Sequence, residues 1–275
     1  MKKIFAFDLD GTLLNKENKL HPHTKKIIIK ANKLGHTNVV ATGRGIKKVM
    51  PLIVDKTLEG FDYLICSNGA FIYDVKNKHN ISLGKVEPSS FDFLEKLARE
   101  RNLIITLDTD KFNGTWIPKT DTKDFPDWMN ETLIMDMNIL NRCSLEELRI
   151  KANEKDAVIF QIALRSPIEI AKEVTKQALD ELGNKHAVFL TNAIYTDVCP
   201  FGVSKYNALE QLIQNISFKG DLIAFGDSGN DIEMLQHSKK GFAMGNATED
   251  AKQVADEVIG DHNTGTIGET IERFI

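Results

Sequence analysis

The chain has 275 residues, 42% of them apolar and 27% charged, with a formal net charge of -4 from 35 basic and 39 acidic side chains. At about 100–200 residues per domain the length suits two domains, and the composition is neither that of a disordered or collagen-like chain nor that of a membrane protein. The charge balance gives no footprint for nucleic acid or anionic lipid, and Cys66, Cys143 and Cys199 are too scattered and odd in number for a disulfide framework or a zinc knuckle.

Met1-Lys2-Lys3 precedes an apolar run that stops at Asp8 with no small-residue cleavage site after it, unlike a signal peptide. No run approaches the ~18 apolar residues of a membrane span. A cytoplasmic protein is expected.

In chain order, KIFAFDLDGT reads as a buried strand ending in acids, and HPHTKKIIIKANKLGH as a helix stopped by Gly35. His21-Pro22-His23 reads as the start of that helix, since no acid or cysteine at ligand spacing joins it. TNVVATGR and DYLICSNGA are further strands. From residue 84 the texture changes: SSFDFLEKLARERN, SLEELRIKANEK and SPIEIAKEVTKQALDELGN read as helices among the strands LIITLD, GTWIPK, AVIFQIAL, HAVFLTN and IYTDVC. TKDFPDWMNETL reads as irregular or helical; Trp116 and Trp128 either stack on a ring or pack the core. After residue 195 the first texture returns in DLIAFGDSGND, the short helix NDIEMLQHSKK, KGFAMGNA and ADEVIG. Apolar runs separated by helical patterns argue for a parallel sheet covered on both faces. The expected division is an α/β core over residues 1–83 and 196–275, with an α+β insert over residues 84–195.

Chemistry concentrates at the strand ends, where open α/β sheets bind ligands. A strand's period of two would turn Asp8 and Asp10 to one side and Leu9 to the other, so that the two carboxylates share a small volume. Like charges so close need divided acid and base roles or a bound cation. Thr42-Gly43-Arg44, between a strand and a helix, offers a hydroxyl and backbone N–H groups for an anion. The acids of GDSGND fail the spacing of a calcium loop, having Ile232 and Ser238 where glycine and glutamate belong, and better suit magnesium. Lys205 gains meaning only beside these groups. Asn68 in SNGA either reaches a substrate or turns the chain.

Together DLDGT, ATGR, GVSK and GDSGND, in this order, resemble the four signature motifs of the haloacid dehalogenase superfamily, and the insert after SNGA resembles the α/β cap of its Cof-type (subfamily IIB) phosphatases. The resemblance covers nearly the whole chain and implies a Rossmann-like core with an inserted cap that closes over the site. By that resemblance Asp8 would be the nucleophile that becomes phosphorylated and Asp10 the acid that later serves as base. Leu9, Thr42, Gly43, Asn230 and Lys205 would hold the phosphate, with Lys205 also catalytic in offsetting the charge of Asp8 and the phosphate. Asp8, Asp10 through its carbonyl, and Asp227 would bind Mg2+, with Thr12, Arg44, Asn68 and Asp231 in support. The implied activity is hydrolysis of small phosphorylated metabolites, such as sugar phosphates, flavin mononucleotide or pyridoxal phosphate, without nucleic acid or membrane partners and with the oligomeric state open. A phosphomutase and a non-catalytic phosphoacceptor module are the alternatives.

Overall fold

The computed structural model describes residues 1–119, 124–129 and 140–275. In chain order its elements are β1 (Lys3–Phe7), α1 (Pro22–Lys33), β2 (Thr37–Ala41), α2 (Ile46–Val54), β3 (Tyr63–Cys66), β4 (Phe71–Asp74), β5 (His79–Ser82), α3 (Pro88–Glu100), β6 (Ile104–Thr109), β7 (Asn113–Trp116), α4 (Leu145–Ala152), β8 (Ile159–Arg165), α5 (Ile168–Leu182), β9 (His186–Thr191), β10 (Tyr195–Pro200), α6 (Lys205–Asn215), β11 (Asp221–Gly226), α7 (Ile232–His237), β12 (Lys240–Ala243), α8 (Glu249–Val254), β13 (Glu257–Val258) and α9 (Thr266–Glu272). They fall into two units, Met1–Leu83 with Val203–Ile275, and Gly84–Gly202. The stretch TKDFPDWMNETL, residues 122–133, lies outside the described residues at both ends. No helix among the described residues is long and apolar enough to cross a membrane.

In the first unit one sheet runs in the order β13-β12-β11-β1-β2-β3-β4-β5. From β13 to β3 every pairing is parallel, and β1, β2 and β11 are buried along almost their whole length. That is why those runs carry apolar residues without alternation. Phe7, Phe225 and Phe242 stack across three of the strands at centroid distances of 5.0 and 5.2 Å. Each such buried side chain contributes roughly 1.5–3 kcal/mol, so the centre of the sheet is a rigid base for the loops at its end. The helix α1 begins at Pro22, whose fixed φ suits a first turn, and ends with Lys30 and Lys33 near the carbonyl end of its dipole. Its Ile27, Ile28 and Ala31 are buried, so His21-Pro22-His23 does start a helix as read.

The sequence reading had no counterpart for β4 and β5, which add antiparallel strands beyond β3. HNIS in β5 is polar and mostly exposed, so it pairs through its backbone and leaves no side-chain signature.

The second unit is α+β as expected. Its sheet runs β7-β6-β8-β10-β9 with antiparallel pairings throughout. Phe91, Leu94, Leu148, Val174 and Ala178 from α3, α4 and α5 pack with Ile105, Leu107, Ile162, Leu164 and Val198 from the strands. Trp116 packs against this cluster, and Trp128 against a smaller one of Ile104, Ile117, Met129 and Leu140 while donating its indole N–H to Asn102 O at 2.9 Å. The unit ends at Gly202 and not at residue 195. The expected boundary falls at the start of β10, which pairs with both β8 and β9 and so belongs to this sheet.

Candidate active site

The sheet register brings the site together. Phe7 of β1 lies opposite Val40 of β2 and Phe225 of β11, so Asp8, Thr42 and Asp227 emerge just past the carboxyl ends of three adjacent parallel strands. The ladder runs one residue further on each side, with Asp8 N–H donating to Phe225 O at 3.0 Å and Thr42 N–H to Ile65 O at 2.9 Å.

Beyond Asp8 the chain curls back, Leu9 O accepting from the N–H groups of Leu13 and Leu14 at 3.0 and 2.9 Å. Gly11 permits the curl. Its φ is +83°, and a Cβ there would stand 2.6 Å from Asp227 Oδ2. The strand itself stops short of both acids, ending at Phe7, and Asp10 still lies near enough to Asp8 to raise its pKa. The carboxylates of Asp8 and Asp10 are each taken by a different cation. Asp8 is buried and accepts from Lys205 Nζ at 2.6 Å. Asp10, with a side chain 38% exposed, accepts from Arg44 Nε at 2.8 Å and Nη2 at 2.5 Å.

Lys205 stands at the start of α6, whose N-cap Ser204 accepts from Asn207 N–H at 3.1 Å. The turn Ser67–Gly69 lies directly against this point: at Gly69, with φ +105°, a Cβ would be 2.2 Å from Ser204 O. The Lys205 side chain is 1% exposed, and its ammonium donates to Asp231 Oδ1 at 2.7 Å as well as to Asp8. Burial alone would lower the Lys205 pKa, but Asp231 and Asp8 outweigh it and hold the group charged well above its ordinary value.

Asp231 is fully committed. Its Oδ2 accepts from the N–H groups of Asp227 and Ser228, each at 3.0 Å, which fixes the GDSGND turn. Asp227 Oδ1 accepts from Thr12 Oγ1 at 2.9 Å. Asp8, Asp227 and Asp231 each bring a carboxylate oxygen within 4.8 Å of the others. Burial pushes the Asp8 carboxyl up to about 7, with Lys205 opposing and Asp231 and Asp10 adding to the rise. It pushes Asp227 up to about 9, helped by Asp8 and Asp231. Buried oxygens that hold protons in this way are a site a divalent cation would fill, displacing the protons. The donor set fits magnesium: among the described residues Asp8 and Asp227 each keep one oxygen with no protein donor, whereas both oxygens of Asp231 are engaged.

At the ATGR turn, Thr42 Oγ1 accepts from Arg44 N–H at 3.1 Å, which leaves its hydroxyl proton to donate outward. Among the described residues the backbone N–H groups of Leu9 and Gly43 have no protein acceptor. Asn230 accepts from Ser228 Oγ at 2.7 Å and donates Nδ2 to Asn68 Oδ1 at 2.8 Å. Asn68 thereby both turns the chain, at φ 53°, and reaches the GDSGND turn. Two contacts went unread in the sequence. Asn18 accepts from Arg44 Nη2 at 2.7 Å. Asn246 donates to Gly11 O at 2.7 Å and accepts from the His262 backbone N–H at 3.1 Å. Asn18 lies outside every segment read, Asn246 lies in KGFAMGNA, which reads only as a strand, and nothing in either local sequence marks a partner in another loop.

The profile of a family described as haloacid dehalogenase-like hydrolase matches residues 5–271. A 5-amino-6-(5-phospho-D-ribitylamino)uracil phosphatase of Bacillus subtilis is 26% identical over 276 residues, covering 99% of this chain and 96% of its own length. An HMP-PP phosphatase of Yersinia pseudotuberculosis is 29% identical over 256 residues, covering 92% and 87%. A solved haloacid dehalogenase subclass IIB sugar phosphatase superimposes with a TM-score of 0.78 at 23% identity over 100% of this chain and 99% of its own.

Proposed function

The chain belongs to the haloacid dehalogenase-like hydrolase family, and from that premise we propose a magnesium-dependent phosphatase of small phosphorylated metabolites that works through a phosphoaspartyl enzyme. It is a phosphoric monoester hydrolase by class, and its two relatives named above are phosphatases of different small metabolites. That difference supports the substrate class and leaves the individual substrate to experiment.

The observation that carries the reading is the buried Lys205 ammonium shared by Asp8 and Asp231 at 2.6 and 2.7 Å. It offsets the charge of Asp8 so that a phosphate dianion can approach an ionised carboxylate, which otherwise repels it. In the first step an Asp8 oxygen bonds to phosphorus as the ester P–O bond breaks, its electron pair leaving on the ester oxygen, which Asp10 protonates. In the second, Asp10 takes a proton from water as the water oxygen bonds to phosphorus. The P–O bond to Asp8 then breaks, restoring the carboxylate and releasing phosphate. Thr42 Oγ1, the Leu9 and Gly43 N–H groups and Asn230 would hold the non-bridging oxygens. Asp8, Asp227 and the Asp10 carbonyl would hold magnesium, which neutralises charge on the transferring group when bound.

The test is phosphate release from a panel of sugar phosphates, flavin mononucleotide, pyridoxal phosphate and nucleotides, with and without Mg2+, for wild type and Asp8→Asn. Metal-dependent release lost in Asp8→Asn is expected. Folded protein releasing phosphate from no ester would overturn the reading, and transfer requiring a bisphosphate would make the protein a mutase.

A further inference from the structure

We infer that Arg44 is a positioning residue for Asp10, fixing the direction in which that carboxylate gives and takes its proton; this rests on the phosphoaspartyl reading above. The Arg44 backbone is held at both ends of its peptide units, its N–H donating to Thr42 Oγ1 at 3.1 Å and its carbonyl accepting from Ser67 N–H at 3.0 Å. From this fixed origin the side chain, only 16% exposed, crosses to Asp10 and binds each carboxylate oxygen with a different nitrogen, Nε to Oδ2 at 2.8 Å and Nη2 to Oδ1 at 2.5 Å. A two-point contact fixes the carboxylate plane, which a single hydrogen bond or a lysine ammonium leaves free to rotate.

The same Nη2 also donates to Asn18 Oδ1 at 2.7 Å. Asn18 lies in a closed turn, where Asn15 Oδ1 accepts from the N–H groups of Glu17 and Lys19 at 3.1 and 2.9 Å, and Asn18 N–H donates to Asn15 O at 3.0 Å. The guanidinium therefore joins the turn that offers Thr42 and Gly43, the carboxylate two residues after the nucleophile, and the turn 15–19. An ion pair with one partner over a third exposed adds little to stability. What this pair fixes is orientation. Each clamped oxygen keeps a further lone-pair position, where a proton can be given or taken without breaking either contact.

The consequence is specific to proton transfer. As the ester P–O bond breaks, its electron pair passes to the leaving oxygen, and an aimed Asp10 supplies the proton that a basic leaving group needs and a weakly basic one does not. Phenyl phosphate and p-nitrophenyl phosphate are close in shape and differ in the basicity of the phenolate they release. With Mg2+ present, kcat/KM would be measured on both for wild type, Arg44→Ala and Arg44→Lys, the last retaining charge and most of the packing.

The expected result is that kcat/KM on phenyl phosphate falls at least ~10-fold further than on p-nitrophenyl phosphate in Arg44→Ala, a fraction of the 10²–10⁴ that acid–base catalysis supplies. Arg44→Lys should shift the same way by less, and free guanidinium should restore part of the phenyl phosphate activity of Arg44→Ala. An equal fall on both esters in the folded lysine variant overturns the inference. A wild type that cleaves neither ester, nor any member of the metabolite panel, sinks the phosphatase reading itself and this assignment with it.

Discussion

Replacing Lys205 by methionine keeps a long apolar stem in a side-chain position that is 1% exposed and deletes the ammonium that two buried carboxylates share. Removing one partner of a buried ion pair costs about 3–5 kcal/mol, because the other charge stays behind unpaired. In a unit of about 150 residues each kcal/mol is worth roughly 2–4 °C, so Tm should drop by roughly 6–20 °C. The drop should also depend on pH. Asp8 already titrates near 7 in the folded protein, above its ordinary 3.8, so the fold favours its protonated form, and that contribution fades as pH rises from the lower value through the upper. Without Lys205 the Asp8 pKa climbs further, so Asp8 goes on costing the variant stability above pH 7, where its wild-type contribution has finished and only Asp227, near 9, still titrates in both proteins. Thermal melts followed by circular dichroism in EDTA, at about pH 5.5 and 8.5, should therefore show the deficit of Lys205→Met widening at the higher pH. A variant melting within about 2 °C of wild type at the higher pH, or a deficit that is flat between the two, would refute the argument.

Three further outcomes follow from the same geometry. Because burial holds Asp8 near 7 and Asp227 near 9, the apparent Mg2+ affinity should strengthen as pH rises through that interval, with protons released on binding; calorimetry in buffers of different ionisation enthalpy reads the release, and an affinity that ignores pH would contradict it. Gly11→Ala places a Cβ 2.6 Å from Asp227 Oδ2 at φ +83°, so it should cost about 1–3 kcal/mol and weaken Mg2+ binding together with turnover; unchanged Mg2+ affinity would show that the curl tolerates a side chain. Asn246→Ala removes the 2.7 Å bond to Gly11 O and should cost about 1 kcal/mol, with a smaller loss of kcat than Gly11→Ala causes; equal kcat in variant and wild type would show that this anchor does not steady the loop.

Much of this arrangement was written in local sequence. The runs KIFAF, TNVVA and DLIAFG are apolar at nearly every position because their strands are covered on both faces, so they declared a parallel sheet before any coordinates. The acids and the threonine that follow those runs fall at strand ends by chain position alone, which made Asp8, Thr42 and Asp227 legible as one site. Lys205 was different: a lysine opening an amphipathic helix looks like surface, and only the fold buries it between Asp8 and Asp231. The fold also gave Asp8 and Asp10 different cations. The strand stops at Phe7, short of both acids, and the curl of Leu9 O onto Leu13 and Leu14, with a positive φ at Gly11, carries the chain on from there. Likewise IYTDVC reads as a strand of the insert although the boundary expected at residue 195 cuts it off, and its hydrogen-bonded partners β8 and β9 keep β10 whole in the second unit. Sequence periodicity records how a segment meets solvent and core, so it reports strands, helices and the residues at their ends. Which two charges meet across 34 or 197 residues of chain is set by the register of the sheet and the course of its loops, and these exist only once the chain has folded.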